Sequence, residues 1–217
     1  QETAGGETEF FNVVLQLEDG RVATKRMNFT FATFEHLGWT GVAHKYEING
    51  THGRDHMNGT RGIDIIFAGA GGDWVEGRAG DDEIYGESGD DRLSGDLGNN
   101  LLYGEAGDDT IYAGSHTEFG IGGSSTLDGG SGNDLLVGNA AGSFLIGGDG
   151  DDTLVSTYNN DTMEGGAGSD TFVLGKLVGN TAVITDFSLA ERDILDITRY
   201  VSGGTNATLA DIRSSVR

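Results

Sequence analysis

Ten aspartates of this 217-residue chain stand in phase. Asp55, Asp64, Asp73, Asp82, Asp91, Asp109, Asp134, Asp152, Asp161 and Asp170 each hold the sixth place of a nine-residue unit, and Asn100, Ser125 and Ser143 hold it in the others. Carboxylates crowded at such short spacing repel one another unless something positive sits among them. The chain has 39 glycines, no cysteine and a formal net charge of −22. Aspartate oxygens, together with backbone carbonyls exposed by glycine turns, make a hard, all-oxygen ligand set. It suits calcium better than zinc or copper, and magnesium would demand a tighter octahedron. The charge argues against nucleic acid and anionic membrane as partners. Absence of cysteine removes disulfides and thiolate metal sites and leaves the redox compartment open.

The aspartates belong to a longer pattern. A nine-residue ruler laid from Gly50 gives seven units to Tyr112, is interrupted at 113–119, and restarts at Gly120 for six more units ending at Val173. The eighth place reads Met57, Ile66, Val75, Ile84, Leu93, Leu102, Ile111, Leu127, Leu136, Leu145, Leu154, Met163 and Phe172, all apolar. At the chain's hydrophobic fraction this would arise by chance about once in a million. Nine residues are too few for a helical repeat. Three extended residues with only the middle one apolar suit a short strand that turns one side chain inward, and the glycine-rich residues before it suit a turn. Two turns and two strands make a coil of 18 residues, and coils stacked about 4.8 Å apart give a roll roughly 30 Å long. The expected fold is all-β: a right-handed parallel β-roll with β capping segments at both ends.

Stretches such as GGSGNDLLV (129–137), GGDGDDTLV (147–155) and GGAGSDTFV (165–173) resemble the glycine-rich nonapeptide of the RTX, or hemolysin-type, calcium-binding proteins. The resemblance implies calcium-loaded rolls, an extracellular location reached through a type I exporter, and attachment to larger toxins, proteases, lipases, epimerases or adhesins. Because units alternate between two sides of the roll, cations are expected between aspartates 18 residues apart. These pairs are Asp55/Asp73, Asp73/Asp91 and Asp91/Asp109 on one side, and Asp64/Asp82, Asp134/Asp152 and Asp152/Asp170 on the other. They amount to about six calcium ions or more. Carbonyls at glycine places, those of Gly77, Gly80, Gly86, Gly89, Gly147, Gly150, Gly165 and Gly168, are expected to complete the shells, as the resemblance also implies. If the break replaces one unit, Ser125 and Ser143 fall on the first side and Asn100 on the second. Each ladder is then interrupted, with weak or vacant sites at Asp82/Asn100 and around Ser125/Ser143.

Three segments are expected: 1–48, 49–175 for the roll, and 176–217. In the first, strand-like alternation from Thr8 around an EDGR turn, followed by Phe29, Phe31 and Phe34, reads as a β-hairpin and edge strand over the first coil or as the tail of an upstream domain. In the last, TAVITDFSLAERDILDIT (181–198) resembles the closing segment of RTX rolls, with Phe187, Ile194, Leu195 and Ile197 as an apolar lid and Asp186, Asp193 and Asp196 as candidate further ligands or solvated acids. The chain's start lacks the basic and apolar halves of a cleavable signal peptide, and its end, LADIRSSVR, lacks the apolar-acidic terminus of an export signal. No apolar run is long enough for a membrane span.

No catalytic residues are expected. His44, His52 and His56 lie close in sequence, but the last two fall at turn and strand-edge places, where solvated histidine is the simpler state. No nucleophile setting has a specific spacing. Trp39, Trp74, Tyr85, Tyr103 and Tyr112 suggest a second function, a sugar-stacking face for polysaccharide.

Overall fold

The structure, a computed structural model, describes residues 45–115, 122–157, 160–175 and 182–197, and the backbone of 8–16 and 22–30. The chain divides into two compact units, Gln1–Ala43 and His44–Arg217. In the first, Thr8–Gln16 and Val22–Thr30 form an antiparallel pair with Thr8 opposite Thr30 and Gln16 opposite Val22. The EDGR turn, Phe31, Phe34, Trp39 and His44 lie outside the described residues, as do most of the break at 113–119 and the C-terminal LADIRSSVR.

The second unit is a parallel β-solenoid, with no helix among its described residues. Its strands alternate between two eight-stranded sheets. The long-strand sheet takes Tyr46–Thr51, Asp64–Ala70, Glu83–Ser88, Leu101–Ala106, Thr126–Ser131, Phe144–Asp149, Thr162–Ala167 and Val183–Ile184. The short-strand sheet takes His56–Asn58, Trp74–Glu76, Arg92–Ser94, Thr110–Tyr112, Leu135–Val137, Thr153–Ser156, Thr171–Leu174 and Ile194–Asp196. Eighth-place side chains from both sheets meet in one buried column, and those from Ile66 to Phe172 are at most 1% exposed. Successive side chains of a strand point to opposite faces, so the seventh and ninth places turn outward. Three of the outward valines are nonetheless buried: Val137, Val155 and Val173 form a second cluster with Tyr112 and Leu135, which the one-inward-residue pattern does not anticipate.

Turn geometry explains where glycine is obligatory. Within one unit Arg78 has φ 71° and Gly80 φ 139°, and in the next Glu87 has φ 69° and Gly89 φ 124°. The second place lies in the left-handed region that other residues reach at some cost. The fourth lies where only glycine is comfortable.

The break does not replace a unit. Ile111 pairs with Leu136 and Leu102 with Leu127, each 25 residues on instead of 18, so the seven extra residues are added to one coil and the alternation of sides is preserved. Ala113 takes the place of a first-position glycine: its N–H donates to Val137 O as that of Gly95 donates to Tyr112 O, so the insertion enters after it, inside the turn. A parallel ladder keeps its hydrogen bonds only if both flanking strands stay in register, and a surface turn absorbs extra residues at little entropic cost.

Beyond the last unit, Val183–Ile184 and Ile194–Asp196 continue the two sheets beside Thr162–Ala167 and Thr171–Leu174. Phe187, Leu195 and Ile197 pack on the core, Phe187 tilting against Phe172 with ring centroids 6.0 Å apart. Ile194 is not part of this apolar group: it holds an outward place and is 55% exposed. At the other end, Tyr46–Thr51 runs parallel to Asp64–Ala70, so the solenoid already includes the strand in which Gly50 lies.

Adjacent leucines should separate core from face. Leu102→Ala is expected to destabilise the folded unit by about 2–5 kcal/mol, whereas Leu101→Ala, at a position 40% exposed, should cost less than about 0.5 kcal/mol. Denaturant unfolding of both variants at one calcium concentration checks this.

Candidate metal centre

Every sixth-place side chain enters at the end of its turn, just before a strand, and the two sheets therefore carry two edges of stacked rungs. The first edge runs Asp55, Asp73, Asp91, Asp109, Asp134, Asp152, Asp170 and Asp193. Each rung's N–H donates to Oδ1 of the next, over 2.7 to 3.1 Å. The second edge runs Asp64, Asp82, Asn100, Ser125, Ser143 and Asp161. Here the N–H of Asp64 donates to Asp82 Oδ1 at 2.9 Å, that of Asp82 to Asn100 Oδ1 at 2.9 Å, that of Asn100 to Ser125 Oγ at 3.1 Å and that of Ser143 to Asp161 Oδ1 at 2.7 Å.

This assignment corrects the sequence map. Ser125 and Ser143 join Asn100 on the second edge, while Asp134, Asp152 and Asp170 continue the first, because the insertion adds residues without changing the order of sides. The first edge is unbroken, and Asp109 faces Asp134 across the insertion.

An outer ladder runs beside the first edge in the opposite sense. The N–H of Asp108 donates to Asp90, that of Asn133 to Asp108, that of Asp151 to Asn133 and that of Ser169 to Asp151. Together the two ladders hold the register of successive turns by side chain and backbone alike.

The inner aspartates are almost fully buried, Asp73, Asp82, Asp91, Asp109, Asp134 and Asp152 being at most 3% exposed. Oδ2 of each of these six lacks a hydrogen-bond partner. An orphaned, buried anionic oxygen is costly, and six in a chain this acidic call for positive charge. For all but Asp73, whose unit carries Ala68 at the first place, the space they face is a cradle that glycine keeps open. A Cβ added at Gly86 would lie 2.6 Å from Asp91 Oδ2 and 2.7 Å from Gly104 O, and one at Gly77 would lie 2.8 Å from Asp82 Oδ2 and 3.0 Å from Gly95 O. Gly147 stands likewise against Asp152 Oδ2 and Gly165 O, while the carbonyls of Gly80, Gly89 and Gly150 face the fourth-place glycines Gly98, Gly107 and Gly168 of the next coil. Among the described residues no three His, Asp or Glu side chains converge on one point. A cation here would therefore draw its shell from aspartates of successive rungs and from main-chain carbonyls, a donor set that fits calcium.

The sequence profile of the RTX calcium-binding nonapeptide repeat matches residues 49–84, 85–115, 119–142 and 146–176, more than half of the chain. The chain belongs to the RTX family. A search of curated proteins gave no match. RTX repeats are non-catalytic, and calcium is the cofactor they imply.

At the ends of the edges the chain satisfies its own carboxylates. Asp55 Oδ2 accepts from the N–H of Thr51 at 2.7 Å and its hydroxyl at 2.8 Å, and Asp64 Oδ2 accepts from the N–H of Thr60 at 2.6 Å. Asp193 accepts from the N–H of Ser188 at 2.6 Å as well as from Asp170, and Asp186 accepts from the N–H groups of Gly165 at 3.0 Å and Gly166 at 2.8 Å. Sequence reading missed these partners. Only the threonine after Gly50 and Gly59 hints at the first two.

The aromatic residues do not form one face. Tyr85 and Tyr103 lie on the long-strand sheet, where Tyr85 stacks between Phe67 and Tyr103 at centroid separations of 4.9 and 5.0 Å. Trp74 and Tyr112 lie on the short-strand sheet, with Arg92 against both rings and His56 5.0 Å from Trp74. Trp74 remains 39% exposed.

Burial, opposed by the amide each accepts from, pushes the carboxyl groups of Asp82, Asp91, Asp109 and Asp152 up to about 7 and that of Asp134 to about 6, with neighbouring carboxylates adding to the rise. A raised folded pKa means that the metal-free fold favours the neutral acid. Its contribution to stability is complete below the unfolded value of about 3.9 and is lost as pH rises through 6 to 7. Chelated protein should therefore gain β structure on acidification from about pH 8 to pH 5, and calcium, which needs the ionised form, should release protons when added near pH 6.5. Circular dichroism and proton release in weak buffer check both; β content that falls on acidification in chelator would contradict the assignment.

Proposed function

We propose that this RTX module is a calcium-responsive folding unit of a larger, secreted protein. Supporting this reading above all is the unbroken first edge, where buried carboxylate oxygens stand without partners until a cation arrives. Without calcium the stacked acids repel and the apolar column is thin, so ordering the glycine-rich turns is poorly compensated. Calcium that binds only the folded solenoid adds about 1.4 kcal/mol per site at ten times its dissociation constant. Affinities of extracellular modules, about 10⁻⁴ to 10⁻³ M, would leave the chain unfolded in the low calcium of a cytosol. A type I exporter could then thread it in that state, and folding outside would oppose its return.

Titrating calcium into chelated protein, followed by far-ultraviolet circular dichroism, should give a cooperative coil-to-β transition in that concentration range, and magnesium should give none. Asp91→Asn should move the midpoint several-fold higher, whereas Asp128→Asn, on the outer sheet face, should leave it in place. A fold indifferent to calcium would defeat the reading.

A further inference from the structure

The second edge departs from the aspartate pattern at Asn100, Ser125 and Ser143, and from the first-place glycine at Ala113 and Ser156. These five departures fall on consecutive coils of the second edge, whereas the first edge departs once, at Ala68 in the first place of the Asp73 unit. Their bonding is also distinct. Asn100 Nδ2 donates to Gly95 O at 2.8 Å, and Gly95 O is the carbonyl that shares the Gly77 cradle with Asp82 Oδ2. The amide thus bonds the carbonyl that a cation below it would take as a ligand. Ser125 and Ser143 carry no charge; Ser125 Oγ accepts from Asn100 N–H, whereas Ser143 Oγ is buried without a partner and that rung is joined to Ser125 through the main chain, Phe144 N–H donating to Ser125 O at 2.9 Å. At Asp161 both oxygens are engaged, Oδ1 by Ser143 N–H at 2.7 Å and Oδ2 by the Ser156 hydroxyl at 2.6 Å. At the same heights the first edge presents Asp109, Asp134 and Asp152, each with an orphaned Oδ2.

We propose that the second edge is held without calcium from Asn100 to Asp161, by donors of the chain itself, so that the two edges of one solenoid differ in their demand for the ion. This inference rests on calcium binding by the rest of the module. A pair of facing carboxylates and free carbonyls is what makes a gap a cation site here, and no gap between Asn100 and Asp161 has that pair. The Asp82/Asn100 gap, at the lower border of this stretch, holds a single carboxylate, whose Oδ2 has no hydrogen-bond partner, and a carbonyl already bonded to the amide, so it offers half of the pair that the first-edge gaps offer. The seam therefore stays closed whether or not the other edge is loaded, and the insertion after Ala113 sits where turn-to-turn contact is independent of metal.

Calcium stoichiometry by equilibrium dialysis and metal analysis tests this on the full chain. Asn100→Asp restores a facing carboxylate pair and should add one ion to the wild-type number, while Asn100→Ala should leave that number unchanged. Asp91→Asn, on the first edge, should lower it. Loss of an ion in Asn100→Ala, or no gain in a folded Asn100→Asp, would overturn the inference. Should Asn100→Asp fail to fold, anomalous diffraction from calcium-loaded wild-type crystals decides instead: peaks along the first edge with none between Asn100 and Asp161 support the seam, and a peak within it overturns the proposal. Wild-type protein that binds no calcium at all would instead refute the folding-unit reading on which the inference rests.

Discussion

Stacking a buried carboxylate on the next one is the constraint around which the solenoid is built. One oxygen of each interior aspartate accepts from the amide of the rung before it, and in Asp73, Asp82, Asp91, Asp109, Asp134 and Asp152 the other is left without a partner. Such an arrangement is unfavourable in a low-dielectric setting unless a cation or a hydrogen-bond donor completes it. First-place glycine follows from this at Gly77, Gly86, Gly104, Gly129 and Gly147, where a Cβ would occupy the space beside Oδ2. Strict register follows too, since slipping one strand by a residue would separate a carboxylate from its amide and turn the apolar column outward.

Hydrophobic burial alone gives the unit a narrow core. Each coil contributes one inward side chain per strand, supplemented by the valine cluster at Val137, Val155 and Val173. In the proposed reading the thin column, the high glycine content and the acidic edges act together, lowering the stability of the metal-free chain and placing the missing free energy in the cation sites.

The solenoid has two edges of different chemistry. Eight aspartates run unbroken along one, whereas the other exchanges carboxylates for Asn100, Ser125 and Ser143 over its middle coils. At the outermost rungs, Thr51, Thr60 and Ser188 supply donors to aspartates that would otherwise resemble the interior ones. Side-chain donors and cations are thus alternative solutions to one electrostatic problem, used at different heights of the same stack.

Period, inward places, turn glycines and the acids themselves were legible in the sequence, because each is a local requirement repeated every nine residues: Ile84 must point inward and Gly80 must take a φ that other residues avoid. The pairing of rungs was legible only where the period is uninterrupted. Which edge Ser125, Ser143 and Asp134 occupy depended on whether the insertion replaces a unit or bulges from a turn, and that was decided by sheet register between Leu102 and Leu127 and between Ile111 and Leu136. The partners of Asn100 and Asp161 were likewise invisible in one dimension. A side chain reaches a carbonyl or hydroxyl of its turn only once the coil has closed, so tertiary structure determined which acids were left wanting a cation and which had been satisfied by the chain.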